Sequence, residues 1–175
     1  MRRSVLAVVV CLLAIASAMP TTVAQPAAVD RPAAVHGGTC DSLGDVVVSL
    51  ANLVLTSGDP QGQTLATPVE QSGTVVSFGV SDFLGSSHAV VVQEAPGMST
   101  VVACGEVGGA LNPDGTLAVG MRSMNASSLS GIAYFTPIDT FSNTLVTILL
   151  VDGNAPATSA IDGETGLEDP NTTPQ

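Results

Sequence analysis

His88-Ala89-Val90-Val91-Val92-Gln93-Glu94 and, after a short loop, Val101-Val102-Ala103-Cys104-Gly105-Glu106-Val107-Gly108 are the stretches whose reading decides the fold. Both are short, valine-dominated runs set between turn-forming residues. Valine is restricted at χ1 and suits a pleated sheet better than a helix. The unbroken apolar run over residues 89–92 fits a strand covered on both faces.

Working outward, the same texture recurs. Val46-Val47-Val48-Ser49-Leu50 is one such run, and residues 52–55 extend it. A further run covers residues 74–80, where Val76, Phe78 and Val80 alternate with Val75, Ser77 and Gly79. Asn112-Pro113-Asp114-Gly115 is a turn signature, and a strand over 116–121 follows it. Runs over 132–136 and 144–151 complete seven or so strands. Short strands at close intervals predict an all-β sandwich or a barrel. One helical turn is expected over 81–85, with Ser81 or Asp82 as N-cap and Gly85 as its stop. With four Phe, one Tyr and no Trp, the core falls to Val, Leu, Ile and Ala.

The ends differ from this middle. Arg2 and Arg3 precede an apolar stretch over 5–15, and small residues follow at Ala16-Ser17-Ala18 and Thr22-Val23-Ala24. This is the pattern of a secretory signal peptide over 1–24, and its apolar run is shorter than the ~20 residues a spanning helix needs. Cys11 lies inside that run without the small preceding residue of a lipidation site. Residues 25–35, rich in Ala and Pro, read as a flexible lead-in. The folded domain is expected over 36–151. Residues 152–175 carry five acids, three prolines and no base, and read as an acidic disordered tail. Asp152-Gly153-Asn154 and Asp162-Gly163-Glu164 resemble calcium-loop spacing but lack the rest of the ligand series.

Removing the signal leaves Arg31 and Arg122 against 15 acids, a net charge of 2 − 15 = −13, with no lysine anywhere. Such a chain cannot neutralise phosphates, and an anionic membrane surface repels it. The partner expected is a protein or surface component, and the acidic excess itself serves solubility. Two cysteines remain, Cys40 and Cys104. In an oxidising compartment they most simply form one disulfide, contributing about 4 kcal/mol by closing a long loop. The competing reading, a metal pair, lacks neighbouring ligands to complete it.

Two segments carry a family resemblance. The 88–94 and 102–108 stretches resemble the valine-rich strand and the "ACG" strand of Cu/Zn superoxide dismutases. His36-Gly37-Gly38-Thr39-Cys40 resembles the segment in which an H-x-H pair precedes the partner cysteine. The whole also resembles secreted bacterial CHRD-like domains with the pattern H-x-H-x-G-T-C, V-x-V-H, A-C-G-D-I-G-G. The resemblance covers roughly residues 36–151. It implies a Cys40–Cys104 disulfide and an all-β, Greek-key sandwich like that of the dismutases. Strands beyond Cys104 have no place in the dismutase order, so a circular permutation is implied.

Most of the family's ligands are missing. Ala34 stands where the first histidine of H-x-H belongs, His36 matches the second, and Gln93 stands where a later copper ligand belongs. Val101 replaces the arginine that guides superoxide, and no histidine lies between Cys40 and His88. Copper redox chemistry needs several imidazoles, and this chain has two. His88 joining His36, with help from Glu94, is the remaining metal option; a histidine simply bonded to backbone is the alternative. A hydrolase triad from Asp82, Ser86 or Ser87 and His88 lacks its nucleophile elbow. Asn125-Ala126-Ser127 and Asn171-Thr172-Thr173 match a glycosylation acceptor pattern. The function expected is therefore a non-catalytic, secreted β-sandwich with a binding or structural role and no cofactor. The alternative is a residual copper-binding or dismutase-like protein centred on His36.

Overall fold

The computed structural model describes residues 30–56, 61–63, 66–139 and 142–154. The signal peptide read over 1–24 lies outside them, as do residues 155–175 of the acidic tail. Eight strands follow in order: β1 (Asp30–Thr39), β2 (Ser42–Leu55), β3 (Glu70–Val76), β4 (His88–Gln93), β5 (Val101–Glu106), β6 (Leu117–Ser123), β7 (Leu129–Ile138) and β8 (Asn143–Asp152). A five-residue helix, α1 (Val80–Leu84), interrupts them between β3 and β4. All-β is the observed class.

The strands close into an antiparallel barrel in the order β1-β2-β3-β8-β7-β6-β5-β4, with β4 returning to β1. Pairing is not uniform around it. β2 meets β3 at only two positions, Val54↔Gln71 and Leu55↔Glu70. β5 meets β6 at two, Ala103↔Ser123 and Cys104↔Arg122. These thin seams divide the wall into two well-paired halves, β2-β1-β4-β5 and β3-β8-β7-β6.

Three expectations from sequence are corrected here. The lead-in over 25–35 does not stay outside the fold, because 30–35 form the first part of β1 between β2 and β4. Pro32 fits there because the β1–β2 register shifts between Arg31 and Ala33, where an absent N–H costs no ladder bond. The helix starts one residue early: Gly79 is its N-cap, and Asp82 accepts from the Gly79 N–H at 2.8 Å. At the other end, Asp152 closes β8, so the part of the tail that is described begins inside the sheet.

Alternation sorts the side chains into an interior and an outer face. Val35, Val90, Val92, Leu53, Leu117, Val119, Val146, Ile148 and Leu150 fill the interior. α1 stoppers one end, with Phe83 1 % exposed and its ring 5.6 Å from Phe78 and 5.1 Å from Phe135. Burying one such side chain contributes about 2 kcal/mol. At the opposite end Arg31 Nε donates to Glu70 at 2.7 Å and Nη1 to the Glu94 carbonyl at 2.9 Å. A second, smaller cluster of Cys40, Ala89, Val91 and Cys104 lies on the outer face of β4 and β5. The tip of the β1–β2 hairpin reaches onto it. Gly38, at φ 92°, donates to the Ser87 carbonyl at 2.8 Å, and Cys40 is disulfide-bonded to Cys104.

Asp152 accepts from the Ser128 hydroxyl and from the Asn154 N–H. Those bonds, the hydroxyl first, hold its carboxyl below the ordinary aspartate value. The folded state therefore gains from this turn above the unfolded pKa and loses that gain as pH falls through the lowered one. Ser128→Ala is expected to move the Asp152 titration upward, as followed by carboxyl carbon NMR.

Gly131 faces the interior beside Leu149, and an added Cβ would fall 1.9 Å from the Leu149 carbonyl oxygen. Gly131→Ala is expected to part β7 from β8 and lower stability by roughly 3 kcal/mol in chemical unfolding. Replacing both Cys40 and Cys104 by Ala is expected to cost about 4 kcal/mol, since the bridge spans 64 residues of sequence.

Candidate functional site

A groove of about 260 Å³ runs along the outer face of β1, β2 and β4. Ala34, His36, Val46, Asn52 and Gln93 are among its lining residues. β1 places Ala34 and His36 there because residues two apart in a strand share a face. Their neighbours across the ladders, Ser49 and Val91 for Ala34, Val46 and Ala89 for His36, share it too.

His36 is half-buried, and its Nδ1 donates to the Gly44 carbonyl at 3.0 Å. A carbonyl can only accept, so the proton of the neutral ring sits on Nδ1 and Nε2 carries the free lone pair. That nitrogen is the atom by which this residue can ligate a metal. Gln93, at the far end of the groove, lies four strand positions beyond Ala89, the partner of His36. At the usual rise that is roughly 13 Å, too far for the amide and the imidazole to share an ion.

His88 is placed otherwise. Its partner on β1 is Gly37, whereas His36 pairs with Ala89, so the two rings project from opposite faces of the sheet. His88 Nδ1 donates to the Phe83 carbonyl at 2.9 Å and lies 3.1 Å from that of Ser86. Its ring meets the Phe83 ring edge-on at 5.9 Å. The residue ties α1 to the start of β4. The two-histidine site considered from sequence does not assemble. Glu94 is no closer, being one residue past the end of β4 and five positions from Ala89, and its carbonyl is held by Arg31. Among the described residues no group of three or more His, Cys, Asp or Glu is arranged to hold a metal.

The hydrolase triad does not assemble either. Asp82 is engaged at the helix N-terminus and the His88 Nδ1–H is given to backbone carbonyls, so no acid orients the ring toward a serine. A second, open depression of about 490 Å³ follows the β5–β6 seam, with Gly105, Gly120 and Gly131 among its lining residues. It contains Glu106 and Arg122 but no nucleophile with a base beside it. Asn125 sits in a positive-φ turn and its Nδ2 donates to the Val101 carbonyl at 2.9 Å, so the acceptor nitrogen of that glycosylation pattern is occupied. Asn171 lies outside the described residues.

The Cys40–Cys104 bond joins β5 to the tip of the β1–β2 hairpin and is compatible with an extracytoplasmic location. Among the described residues no helix is long and apolar enough to cross a membrane. Searches of family models, curated proteins and solved structures found no match to this chain.

Proposed function

We propose that this chain is a secreted, non-catalytic β-sandwich domain with a binding or structural role, similar to the dismutase and CHRD-like sandwiches but without a working metal centre. The observation that carries the reading is the solitary His36 imidazole on the outer face of β1, with Ala34 as its neighbour on that face. Two further features support it. β4-β1-β2-β3 is the spatial order of a Greek key, and the two thin seams divide the closed wall into two well-paired halves, as a sandwich reading requires. β7 and β8 join the same wall as β2 through β3, as a permuted relative requires.

The second reading, a residual copper protein, is favoured by one feature only, the free Nε2 of His36. Chemistry weighs against a catalytic version of it. One imidazole does not fix a redox-active copper, and a chain at −13 after signal removal repels an anionic substrate that a dismutase would gather.

Copper titration of the purified mature protein separates the two readings. Wild type and His36→Ala are expected to give the same weak curve, and elemental analysis no stoichiometric metal. Ala34→His, which sets two imidazoles on one face roughly 7 Å apart along the strand, is expected to gain roughly tenfold or more in affinity through chelation. A tight copper site in wild type that disappears in His36→Ala would reject the non-catalytic reading.

A further inference from the structure

The outward face of the β3-β8-β7 wall is a broad, regularly paired stretch of sheet. Its outward positions are 71, 73 and 75 on β3, the odd numbers from 143 to 151 on β8 and the even numbers from 130 to 138 on β7. None of them is charged, in a chain with 15 acids. Ala118 and Gly120 continue the uncharged area onto β6, and Arg122 is the first charge reached on that side. The described acids stand mainly at the barrel ends and in turns, with Asp139 and Asp152 just beyond the two ends of this face. Val75 is 60 % exposed and Ile132 41 % exposed, with half-buried Tyr134, Leu145 and Leu149 among them and Val151 beyond Ile132.

We infer that this face is the seat of a homodimer, in which two copies pack their β3-β8-β7 walls against each other across a two-fold axis. Charge selects this occupant. Two molecules that are each strongly negative repel wherever their carboxylates meet, and here they touch without bringing any together. A two-fold contact needs a patch complementary to itself, and an uncharged sheet face meets the electrostatic part of that condition. Paired sheet faces pack about 10 Å apart with their strands aligned to within about 30°. The face is roughly 27 Å long and three strands wide, on the order of 600 Å² of accessible surface per copy. A pair then buries about 1,200 Å², the lower bound of specific interfaces, which fits a dissociation constant in the micromolar range. Gly73 leaves a notch in the middle row, level with Thr147 and Tyr134, into which a partner side chain can settle.

This inference deepens the proposed binding or structural role by naming a partner for it, while resting on a different face from the His36 groove. The two fail separately. A monomer overturns the dimer and leaves the non-catalytic reading standing; stoichiometric copper does the reverse.

Sedimentation velocity of the full mature chain, from low to high micromolar concentration, is the test. The mass is expected to double with concentration, and added salt is expected to strengthen association by screening the acids at the margins. Ile132→Glu and Val75→Lys, both at exposed positions that leave the core intact, are each expected to give a monomer throughout. Val47→Glu, on β2 away from this face, is expected to remain a dimer. A wild-type monomer at every concentration, or a dimer that survives both face variants, overturns the proposal. So does a dimer lost only in Val47→Glu, which would place association on β2. Circular dichroism melts of each variant confirm that a monomer is a folded one.

Discussion

The pairing of β1 with β4 is the constraint on which the rest of this molecule depends. Five consecutive registers, from Ala33↔Val92 to Gly37↔His88, close a wall that would otherwise have two free edges. Closure protects backbone groups that an open sheet would offer to other chains. It also fixes which side chains face in. Because Val35 lies opposite Val90 and Ala33 opposite Val92, Ala34, His36 and Val91 are committed to the outer face. The groove there is a by-product of the closure.

The two halves of the wall then take different characters. β2-β1-β4-β5 carries the groove, the disulfide and the small outer cluster beneath the hairpin tip. β3-β8-β7-β6 is the regular half, with ten registers between β7 and β8 and seven between β3 and β8. Its regularity depends on Gly131, where the neighbouring strand passes too close for any side chain. Polar plugs and apolar stoppers divide the ends in a similar way. Arg31 and Glu70 close one end as an ion pair, whose removal one partner at a time would strand a charge in a largely buried place. The phenylalanines around α1 close the other.

The strands rich in valine were legible because β-branched residues declare pleated sheet directly, and β2 and β4 through β8 appear close to where the sequence puts them. β1 was not legible. Asp30-Arg31-Pro32-Ala33-Ala34 has almost no β propensity, and it is a strand because β2 and β4 supply partners on both sides, with Pro32 accommodated at a register shift. Tertiary pairing outweighed local preference. At the site, the two candidate histidines, His36 and His88, could be read from the sequence. The separation of His36 from His88 could not, because a one-residue difference in register decides which face a ring occupies, and register belongs to the pair of strands. The Nδ1 bonds of both histidines go to carbonyls brought near by the fold, and no sequence pattern announces them.

The disulfide encloses β2, β3, α1 and β4 and ends within β5, whereas β3 finds its second neighbour in β8, with Glu70 opposite Leu150. A chain emerging N-terminus first therefore holds both cysteines before the last three strands exist. Sulfur chemistry can finish while β3 still shows one bare edge and the interior is still open. What the late arrival of β8 completes is then the slowest kind of contact, a long-range pairing whose loop must be closed first. The covalent lock is available early and the wall is finished late, so the half-built, already cross-linked form is the species most exposed to strand exchange between molecules.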